Sequence, residues 1–474
     1  MTTCLQHPVK ELIEIRSFHK LFFNTGYTRN IDNRLKHLTH LKRVLQEYEE
    51  EICNALYQDF KKPTFEAEIS EFLIVLMELN RIIKNLKSWA KPTRVSPNLI
   101  NFPSRARIYY EPYGTTLIIA PWNYPFQLVM APLIAAIAAG NTVVVKPSEL
   151  TPNTNAVITK IIKEVFDPSY VSIIEGDADV AENLLDLKWD YIFFTGSAAV
   201  GKLVYKAAAN HLTPVTLELG GKNPCIVDET ASIQLAAKRI IWGKCVNAGQ
   251  TCIAPDYVLV QEGVKYQLIK ALLEELEKAL GSEPINSPDF ARIIDTKNFI
   301  RLNRLLKEQI LIAGGDTDAA QNYVAPTLLD MGYVDTRISI SELPKVLQEE
   351  IFGPILPILT YRYEEDIKPW IEKYDKPLAV YLFSKNKSLK QHILNDLSFG
   401  GGVINDVIIQ FLNSKLPFGG VGNSGIGAYH GYQSFKTFSH SKAIIHKANW
   451  IDLSLRYAPY TRKLNFIKRV SKFI

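Results

Sequence analysis

The first candidate for covalent chemistry is Cys252, which ends the run Asn247-Ala248-Gly249-Gln250-Thr251-Cys252. A thiol between a loop of small residues and a following strand, here Tyr257 to Val260, can face a cleft on one side. Because a thiolate is intrinsically nucleophilic, such a cysteine is suited to attack a carbonyl carbon. Taken alone, the pattern fits a buried structural thiol better.

The second candidate is a carboxylate at the end of an apolar strand. Glu218 follows Val215–Leu217 and precedes Gly220 and Gly221. The carboxyl ends of parallel strands are where open α/β sheets bind ligands. Partial burial there would raise the pKa of Glu218 and make it a competent base. A simple turn-capping role fits Glu218 equally well.

The third candidate is Asn123, in Pro121-Trp122-Asn123-Tyr124-Pro125. An asparagine in a turn fixed by prolines is a rigid amide donor, the kind of group that stabilises an oxyanion. In isolation, a turn asparagine that bonds its own backbone is the better interpretation.

The elements that must position these residues begin as helices and continue as alternating strands and helices. Apolar residues at helical spacing, in 35–45 and 69–76, predict that the first ninety residues are helical. From Thr115 the pattern predicts a strand before each of four helices and a strand after the last. The predicted strands are 115–120, 142–145, 171–174, 191–194 and 215–217, and the predicted helices are 131–139, 154–165, 178–185 and 200–209. Four such units in a row predict a parallel sheet with right-handed crossovers.

A second α/β domain is predicted from about Ile233 to Phe383, followed by a glycine-rich, irregular segment from Gly400 to Gly431. Asn405, Asp406 and His430 lie in or beside that segment. For Asn405 and Asp406 a structural turn is as good an interpretation as a place near substrate, and for His430 a structural role is favoured over proton transfer.

Composition narrows the class of protein. The 474 residues carry 54 Lys and Arg against 49 Asp and Glu, a net charge of +5 that favours no nucleic-acid partner. The five cysteines are odd in number and widely spaced, which indicates a reducing compartment, and we expect a soluble, cytoplasmic protein. The sequence contains neither a C-x-x-C nor an H-E-x-x-H pattern, so we predict no metal site. We see no secretory signal, and the longest apolar stretch, 128–139, is too short to span a bilayer.

Six blocks in a fixed order resemble the aldehyde dehydrogenase superfamily. They are 121–125 (PWNYP), 146–149 (KPSE), 194–197 (FTGS) with Gly201, 218–222 (ELGGK), 249–252 (GQTC) and 349–354 (EEIFGP). The run 417–425 (PFGGVGNSG), with 428–431 (AYHG) after it, resembles the class 3 and fatty-aldehyde branch in particular.

The resemblance implies a covalent route from aldehyde to carboxylic acid. Cys252 would attack the aldehyde, and the Asn123 amide with the Cys252 backbone N–H would hold the alkoxide. Hydride would pass to a nicotinamide cofactor, and the thioester left on Cys252 would be hydrolysed by water that Glu218 activates. Glu350 is a second candidate for that base, or otherwise a ligand of the nicotinamide ribose.

The resemblance also implies a set of cofactor contacts. Lys146 and Glu149 match positions that bind the adenosine ribose, where an acidic side chain favours NAD over NADP and the neighbouring lysine leaves NADP acceptable. Gly196 and Ser197 would begin a helix whose amides face the pyrophosphate. Three further contacts are implied: Gly201, for which helix packing is the alternative role, Glu350, and Phe352 beside the nicotinamide.

The family fold implies a variant Rossmann cofactor domain, a catalytic domain and a small β arm for oligomerisation. We expect the cofactor domain in 1–102 and 117–217, the catalytic domain in 218–405 and the arm in 103–116 and 406–450. The resemblance also implies a homodimer and aromatic or medium-to-long-chain aliphatic aldehydes as substrates.

The tail, 451–474, has apolar residues at helical spacing among Lys468, Arg469 and Lys472. That pattern is typical of a helix at an anionic membrane surface. We favour docking of the tail on the protein over peripheral membrane contact.

Two other enzyme classes, and a protein without activity, remain as alternatives. A cofactor-independent cysteine hydrolase or thioesterase would leave Lys146, Glu149 and Phe352 without a role. A dehydrogenase that passes its acyl group to coenzyme A usually lacks the glutamate that matches Glu218. A structural protein would have no use for Asn123, Glu218 and Cys252 together.

Overall fold

A computed structural model describes residues 7–98, 101–452, 454–461 and 463–471. The chain divides into two compact units. One contains the chain up to Trp89 together with Glu111–His440, and the other contains Ala90–Tyr110 with the chain from Ser441 onward.

Helices occupy most of the first ninety residues, as the spacing predicted. They are α1 Val9–Asn24, α2 Ile31–Glu47, α3 Glu49–Phe60, α4 Thr64–Ala67 and α5 Leu73–Trp89. The apolar face of α2 is buried through Leu38, Leu41 and Leu45. Between α4 and α5, Glu68–Phe72 form a π-helical turn. Such turns occur often at functional sites, and this one carries side chains toward the cavity described below.

The second unit contains a three-stranded sheet and a short helix. The strands are β1 Thr93–Val95, β2 Ser104–Pro112 and β18 Ser439–Lys447, in the order β1-β2-β18. The predicted helix in the tail is present as α17, Lys463–Val470. Residues 472–474 of the predicted tail pattern lie outside the described residues.

The first unit contains a six-stranded sheet whose strand order is β17-β7-β6-β3-β4-β5. Its strands are β3 Thr115–Ile119, β4 Thr142–Lys146, β5 Val171–Ile173, β6 Tyr191–Thr195, β7 Val215–Glu218 and the short β17 Gly425–Ile426. Strands β3 to β7 are parallel. The crossover helices are α6 Gln127–Ala139, α7 Pro152–Val165, α8 Ala178–Leu185 and α9 Ala198–Ala209. The alternation predicted from the sequence is therefore confirmed.

Helix α6 begins four residues earlier than the predicted Ala131. Its first amides are fixed from outside the helix, because Glu71 accepts the N–H groups of Phe126 and Gln127. The helix ends where predicted, at Gly140, whose φ of 98° is the left-handed conformation that favours glycine.

The same unit holds a second, seven-stranded sheet with the order β10-β13-β14-β9-β8-β15-β16. Its strands are β8 Pro224–Val227, β9 Tyr257–Gln261, β10 Leu311–Ala313, β13 Thr327–Tyr333, β14 Ile355–Tyr361, β15 Ala379–Phe383 and β16 Gly401–Ile404, and a separate hairpin pairs β11 Thr317–Asp318 with β12 Tyr323–Val324. All neighbours are parallel except β10 and β13. The associated helices are α10 Ile233–Cys245, α11 Lys265–Leu280, α12 Thr296–Leu306, α13 Lys345–Gln348, α14 Ile367–Glu372, α15 Lys387–Asp396 and α16 Gly431–Thr437. The predicted second α/β region is present.

One prediction about the chain's organisation needs correction, and the compact units differ in extent from the domains that the resemblance implied. The segment 400–431 is not irregular throughout, since its start forms β16 and Gly425 pairs with Glu218 in the first sheet. Residues 406–440, which we expected in the arm, belong to the first unit because α16 packs on α5 and α6. Conversely, residues 90–102 fall in the second unit, where β1 pairs with β2.

The two sheets of the first unit are joined by a very short connection. Strand β7 ends at Glu218 and β8 begins at Pro224. The carboxyl end of the last parallel strand of one sheet therefore lies beside the start of the other, and this is where the candidate residues come together.

Candidate active site

The structure brings Cys252 and Glu218 to the wall of one cavity of about 970 Å³, including its open mouth. Most of the other lining side chains are apolar. They are Ile69, Ile74, Leu128, Leu219, Trp242, Val246, Ile253, Leu378, Ile408, Phe411, Leu412 and Phe418. The cavity therefore offers a nucleophile and a carboxylate to a largely apolar molecule.

The loop before Cys252 has an unusual backbone. Asn247 (φ 55°), Ala248 (φ 51°) and Gly249 (φ 72°) are all in the left-handed region. A non-glycine residue held there costs about 1–3 kcal/mol and persists only where its surroundings impose it. At Gly249 a Cβ atom would also lie 2.3 Å from the carbonyl oxygen of Gly353. This strained turn aims the chain so that Cys252 reaches the cavity.

Side chains inside the loop hold that conformation. Gln250 donates from Nε2 to the carbonyl oxygens of Asn247 and Arg292, both at 3.0 Å. Its Oε1 accepts the N–H of Ile294 at 3.1 Å. Asn223, five residues after Glu218, donates from Nδ2 to the carbonyl of Cys252 at 2.7 Å. The residue that follows the ELGGK block is thus bonded directly to the cysteine.

The Cys252 thiol is protonated in the resting site. Burial raises its pKa to about 12, and the carboxylates of Glu350 and Glu218 add to the rise. The backbone N–H groups of Cys252 and Ile253 oppose it. Attack by Cys252 therefore requires a nearby base to take its proton.

Glu218 has the properties of such a base. The side chain is buried, and neither carboxylate oxygen has a hydrogen-bond partner among the described residues. Burial raises the pKa of Glu218 well above its usual value. Thr195 is its register partner on β6, and the buried Thr195 hydroxyl likewise has no partner in the described chain. Buried polar groups left in this state mark places where a water or a substrate atom binds.

Glu350 is held more firmly than Glu218. Burial and the Asp256 carboxylate raise the pKa of Glu350 to about 8, against the Gly221 N–H, Lys222 and Arg301. Its carboxylate fills the space beside Gly220, where a Cβ atom would lie 2.1 Å from Oε2. Glu350 is not among the residues that line the cavity.

Asn123 is buried next to the nucleophile loop. One N–H of its side-chain amide donates to the Gln250 backbone carbonyl at 3.1 Å. The Asn123 backbone carbonyl accepts from the side-chain amide of Asn247 at 2.9 Å. An amide carries two N–H donors, and the bond to Gln250 occupies one of them. Asn123 is not among the residues that line the cavity. Tyr124, its neighbour, bonds the hydroxyl of Thr251 at 2.7 Å.

The predicted cofactor residues lie at the carboxyl ends of β4 and β6. Lys146 ends β4, is buried, and forms an ion pair of 3.0 Å with the exposed Glu149. Gly196 follows β6, and Ser197 caps α9 by accepting the N–H of Val200 at 3.3 Å. The start of α9 therefore presents free amides of the kind that bind phosphate groups.

Gly201 and Phe352 have well-defined surroundings. A Cβ atom on Gly201 would lie 2.6 Å from Cδ2 of Leu219, so this glycine permits close packing of α9 on the segment after β7. Phe352 has a φ of 47° and meets the edge of Trp122 at a centroid distance of 5.3 Å.

His430, Asn405 and Asp406 all have partners within the fold. His430 stacks on Phe418 at 5.3 Å, and burial lowers its pKa to about 3, which makes it a poor proton carrier. Asn405 accepts the N–H of Ser384 at 2.9 Å, and Asp406 pairs with Arg239 at 3.3 Å.

Sequence reasoning missed two groups beside the site. Glu66 lines the cavity and accepts the N–H of Asn247 at 2.9 Å. Lys62 and Glu71 form a fully buried ion pair of 2.6 Å, with the Lys62 ammonium 4.0 Å from the Tyr124 ring centroid. Lys62 and Glu71 are nine residues apart, on either side of a helix boundary, and this distance matches no helical spacing. No local sequence pattern therefore predicts the pair.

Comparisons with known proteins identify the family to which the chain belongs. Residues 23–444 match the model of the "Aldehyde dehydrogenase family". A 4,4'-diaponeurosporen-aldehyde dehydrogenase of Staphylococcus aureus is 48% identical over 96% of this chain and 97% of its own. Aldehyde dehydrogenase family 3 member B2 of Mus musculus is 44% identical over 92% of this chain and 90% of its own. A solved structure of Staphylococcus aureus AldH in a substrate-bound state has 46% identity and a TM-score of 0.93, covering 98% of this chain and 100% of that one.

The chain belongs to the aldehyde dehydrogenase family and resembles its family 3 members. It is an oxidoreductase that converts aldehydes to carboxylic acids. The hydrolase, the coenzyme A-dependent enzyme and the inactive structural protein are not favoured.

Solved relatives also bear on the cofactor. A betaine aldehyde dehydrogenase of Staphylococcus aureus in complex with NAD+ shares 25% identity at a TM-score of 0.82, over 96% of this chain and 90% of that one. A glyceraldehyde-3-phosphate dehydrogenase of Methanocaldococcus jannaschii complexed with NADP also shares 25% identity at a TM-score of 0.82, over 94% and 96%. These relatives support a nicotinamide cofactor and leave the choice between NAD and NADP to the chain's own residues.

Among the described residues, no group of three or more His, Cys, Asp and Glu side chains could hold a metal ion. In the same part of the chain, none of the helices has both the length and the apolar character needed to cross a bilayer.

Proposed function

We propose that this enzyme oxidises apolar aldehydes through an acyl bond to Cys252, with Glu218 as the base. The observation that carries the proposal is the unpartnered, buried carboxylate of Glu218 in the same cavity as the Cys252 thiol. A base whose pKa is raised by burial accepts a proton more readily than an exposed carboxylate does. Glu218 therefore takes the thiol proton, and Cys252 Sγ attacks the aldehyde carbon.

The oxygen that gains charge in this attack needs hydrogen-bond donors. The free N–H of the Asn123 amide and the backbone N–H of Cys252 supply them. Loss of one such donor typically costs about 2.7–4 kcal/mol of barrier height. When bound, an oxidised nicotinamide would supply the hydride acceptor, and its positive charge would favour the thiolate form of Cys252.

The thioester left on Cys252 is then hydrolysed. Glu218 and the Thr195 hydroxyl offer unpaired polar atoms to a water at the same wall of the cavity. After the first proton has passed from Glu218 to solvent, Glu218 removes a proton from that water and the hydroxide attacks the acyl carbon. The acid leaves, and the proton held by Glu218 passes to the Cys252 sulfur to restore the thiol. Glu350, whose carboxylate is engaged by the Gly221 N–H outside the cavity, is assigned to the cofactor side instead.

The residues at the cofactor site fit a dinucleotide. The exposed Glu149 carboxylate suits ribose hydroxyls and repels a 2′-phosphate, so we assign NAD as the preferred cofactor and NADP as the second choice. The amides at the start of α9, with Gly196 and Ser197, would hold the pyrophosphate. Phe352 would pack against the nicotinamide.

The apolar lining of the cavity supports aromatic and medium-to-long-chain aliphatic aldehydes as substrates. We propose a homodimer formed through the edges of the β1-β2-β18 sheet, because open strand edges favour pairing. The four described cysteines are free thiols, which supports a cytoplasmic location. The tail helix α17 exposes Leu464 and Ile467, and we assign that face to the partner subunit rather than to a membrane.

The proposal is tested with Glu218→Gln, Glu350→Gln and Cys252→Ala, mixed with NAD and an aldehyde. We expect Glu218→Gln to acylate Cys252 slowly, because the bound nicotinamide still favours the thiolate, and to hydrolyse the thioester more slowly still. An acyl group then accumulates on Cys252, detected by mass spectrometry of the intact protein and of its peptides. Glu350→Gln should turn over without that accumulation, and Cys252→Ala should form no reduced nucleotide. Accumulation in Glu350→Gln instead would transfer the role of base to Glu350, and activity of Cys252→Ala would end the proposal.

A further inference from the structure

The carboxylate of Glu66 connects the wall of the substrate cavity to the loop that carries the nucleophile. Glu66 lies on α4, directly before the π-helical turn, and lines the cavity together with Cys252. Its Oε2 accepts the backbone N–H of Asn247 at 2.9 Å. None of the motifs discussed above includes this residue.

Asn247 is the first of the three left-handed residues before Cys252. Its side chain is already used within the site, donating to the carbonyls of Asn123 and Gln250. The backbone N–H points away from the loop and depends on Glu66. Without that acceptor, a buried N–H would be left unpaired at the start of a strained turn, which is an unfavourable arrangement.

The electrostatics of Glu66 fit this contact. Burial raises the pKa of Glu66 to about 7, and the Asn247 N–H and the Lys62 ammonium oppose the rise. Both therefore stabilise the charged form. Hydrogen bonds to charged acceptors are shorter and stronger than neutral ones.

We propose that Glu66 is a positioning residue, which fixes the backbone of the nucleophile loop at Asn247 and thereby the direction of the Cys252 thiol. The inference rests on the proposed role of Cys252. It assigns no proton transfer to Glu66. The required property is a hydrogen-bond acceptor at this point, so glutamine can replace glutamate and an apolar residue cannot.

The test uses the full-length enzyme with Glu66→Leu, Glu66→Ala and Glu66→Gln. The matched control is Glu68→Leu, because Glu68 lies on the same helical segment, contacts the thiol of Cys53 and does not line the cavity. The first measurement is the rate constant for alkylation of Cys252 by iodoacetamide without cofactor, mapped by mass spectrometry. The second is kcat and KM with propanal and decanal.

For Glu66→Leu and Glu66→Ala we expect at least a tenfold loss of both the alkylation rate and kcat, with KM for propanal within threefold of wild type. Glu66→Gln should keep both rates within threefold, and Glu68→Leu within twofold. If Glu66→Leu does not fold, Glu66→Ala carries the same comparison without an added apolar side chain.

Wild-type alkylation and kcat in the Leu and Ala variants would overturn the inference, as would an equal loss in Glu66→Gln. A failure of the proposed role of Cys252 itself would give a result distinct from these outcomes. In that case Cys252→Ala keeps its activity, whatever the Glu66 variants do.

Discussion

The buried ion pair between Lys62 and Glu71 gives a strong test of how this site is supported. Both side chains are fully buried, and their charged atoms are 2.6 Å apart. Glu71 also accepts the N–H groups of Phe126 and Gln127 at 2.9 and 3.0 Å. Lys62→Met therefore leaves a buried carboxylate bound only to neutral donors.

The expected loss of stability follows from these contacts. Removing one partner of a buried pair costs about 3–5 kcal/mol. The ammonium also lies over the Tyr124 ring at 4.0 Å, and a desolvated contact of that kind contributes about 2 kcal/mol. We therefore expect Lys62→Met to lower the free energy of unfolding by about 5–7 kcal/mol.

The double variant Lys62→Met/Glu71→Gln should be more stable than Lys62→Met alone. Glutamine keeps an oxygen for the two α6 amides and removes the unpaired charge, so the loss should fall to about 2 kcal/mol. The assay is urea unfolding followed by tryptophan fluorescence, with Lys61→Met as the control, since Lys61 is exposed beside Lys62. A double variant less stable than Lys62→Met would refute the reasoning.

Three further predictions concern single positions. Gly201→Ala should lower the free energy of unfolding by about 1–3 kcal/mol because its Cβ would clash with Leu219. Adding Leu219→Ala should relieve that loss, and the Kd for NAD should stay within twofold of wild type. A weaker Kd for NAD at unchanged Tm would assign Gly201 to the cofactor instead. Glu149→Gln should raise the ratio of kcat/KM for NADP to that for NAD by at least about fivefold, because it removes a charge near the 2′-phosphate; an unchanged ratio would contradict the assignment of Glu149. His430 has a folded pKa of about 3, below its unfolded value, so the unfolded state binds the extra proton and stability is lost as pH falls from 6.5 toward 3. His430→Leu should thus show a pH slope of the unfolding free energy shallower by about 1.4 kcal/mol per pH unit between pH 6 and 4, and equal slopes would show that His430 titrates normally.

Much of the site could be predicted from short motifs because the residues in each motif act on their own neighbours. Gln250 and Asn247 hold the loop in which they lie. Gly249 is required by its own backbone and by the nearby Gly353 carbonyl. Glu218 ends an apolar strand, and that pattern alone places it at the carboxyl edge of the sheet.

Other residues could not be predicted because their partners are distant in sequence. Glu66 reaches Asn247 across 181 positions, and Lys222 donates to the carbonyl of Val346 across 124. The placement of residues 406–440 in the first unit could not be predicted for the same reason, because β17 and α16 contact elements far earlier in the chain.

The sequence by itself determined the alternation of strands and helices, the family and the chemical types at the candidate catalytic positions. These depend on periodicity and on contacts within a few residues. Only the tertiary structure decided that Glu218 has no hydrogen-bond partner in the described chain while Glu350 is engaged, and that the Cys252 thiol rests in its protonated form. Burial sets those properties, and the burial of each group depends on side chains from distant parts of the sequence that pack around it in the folded protein.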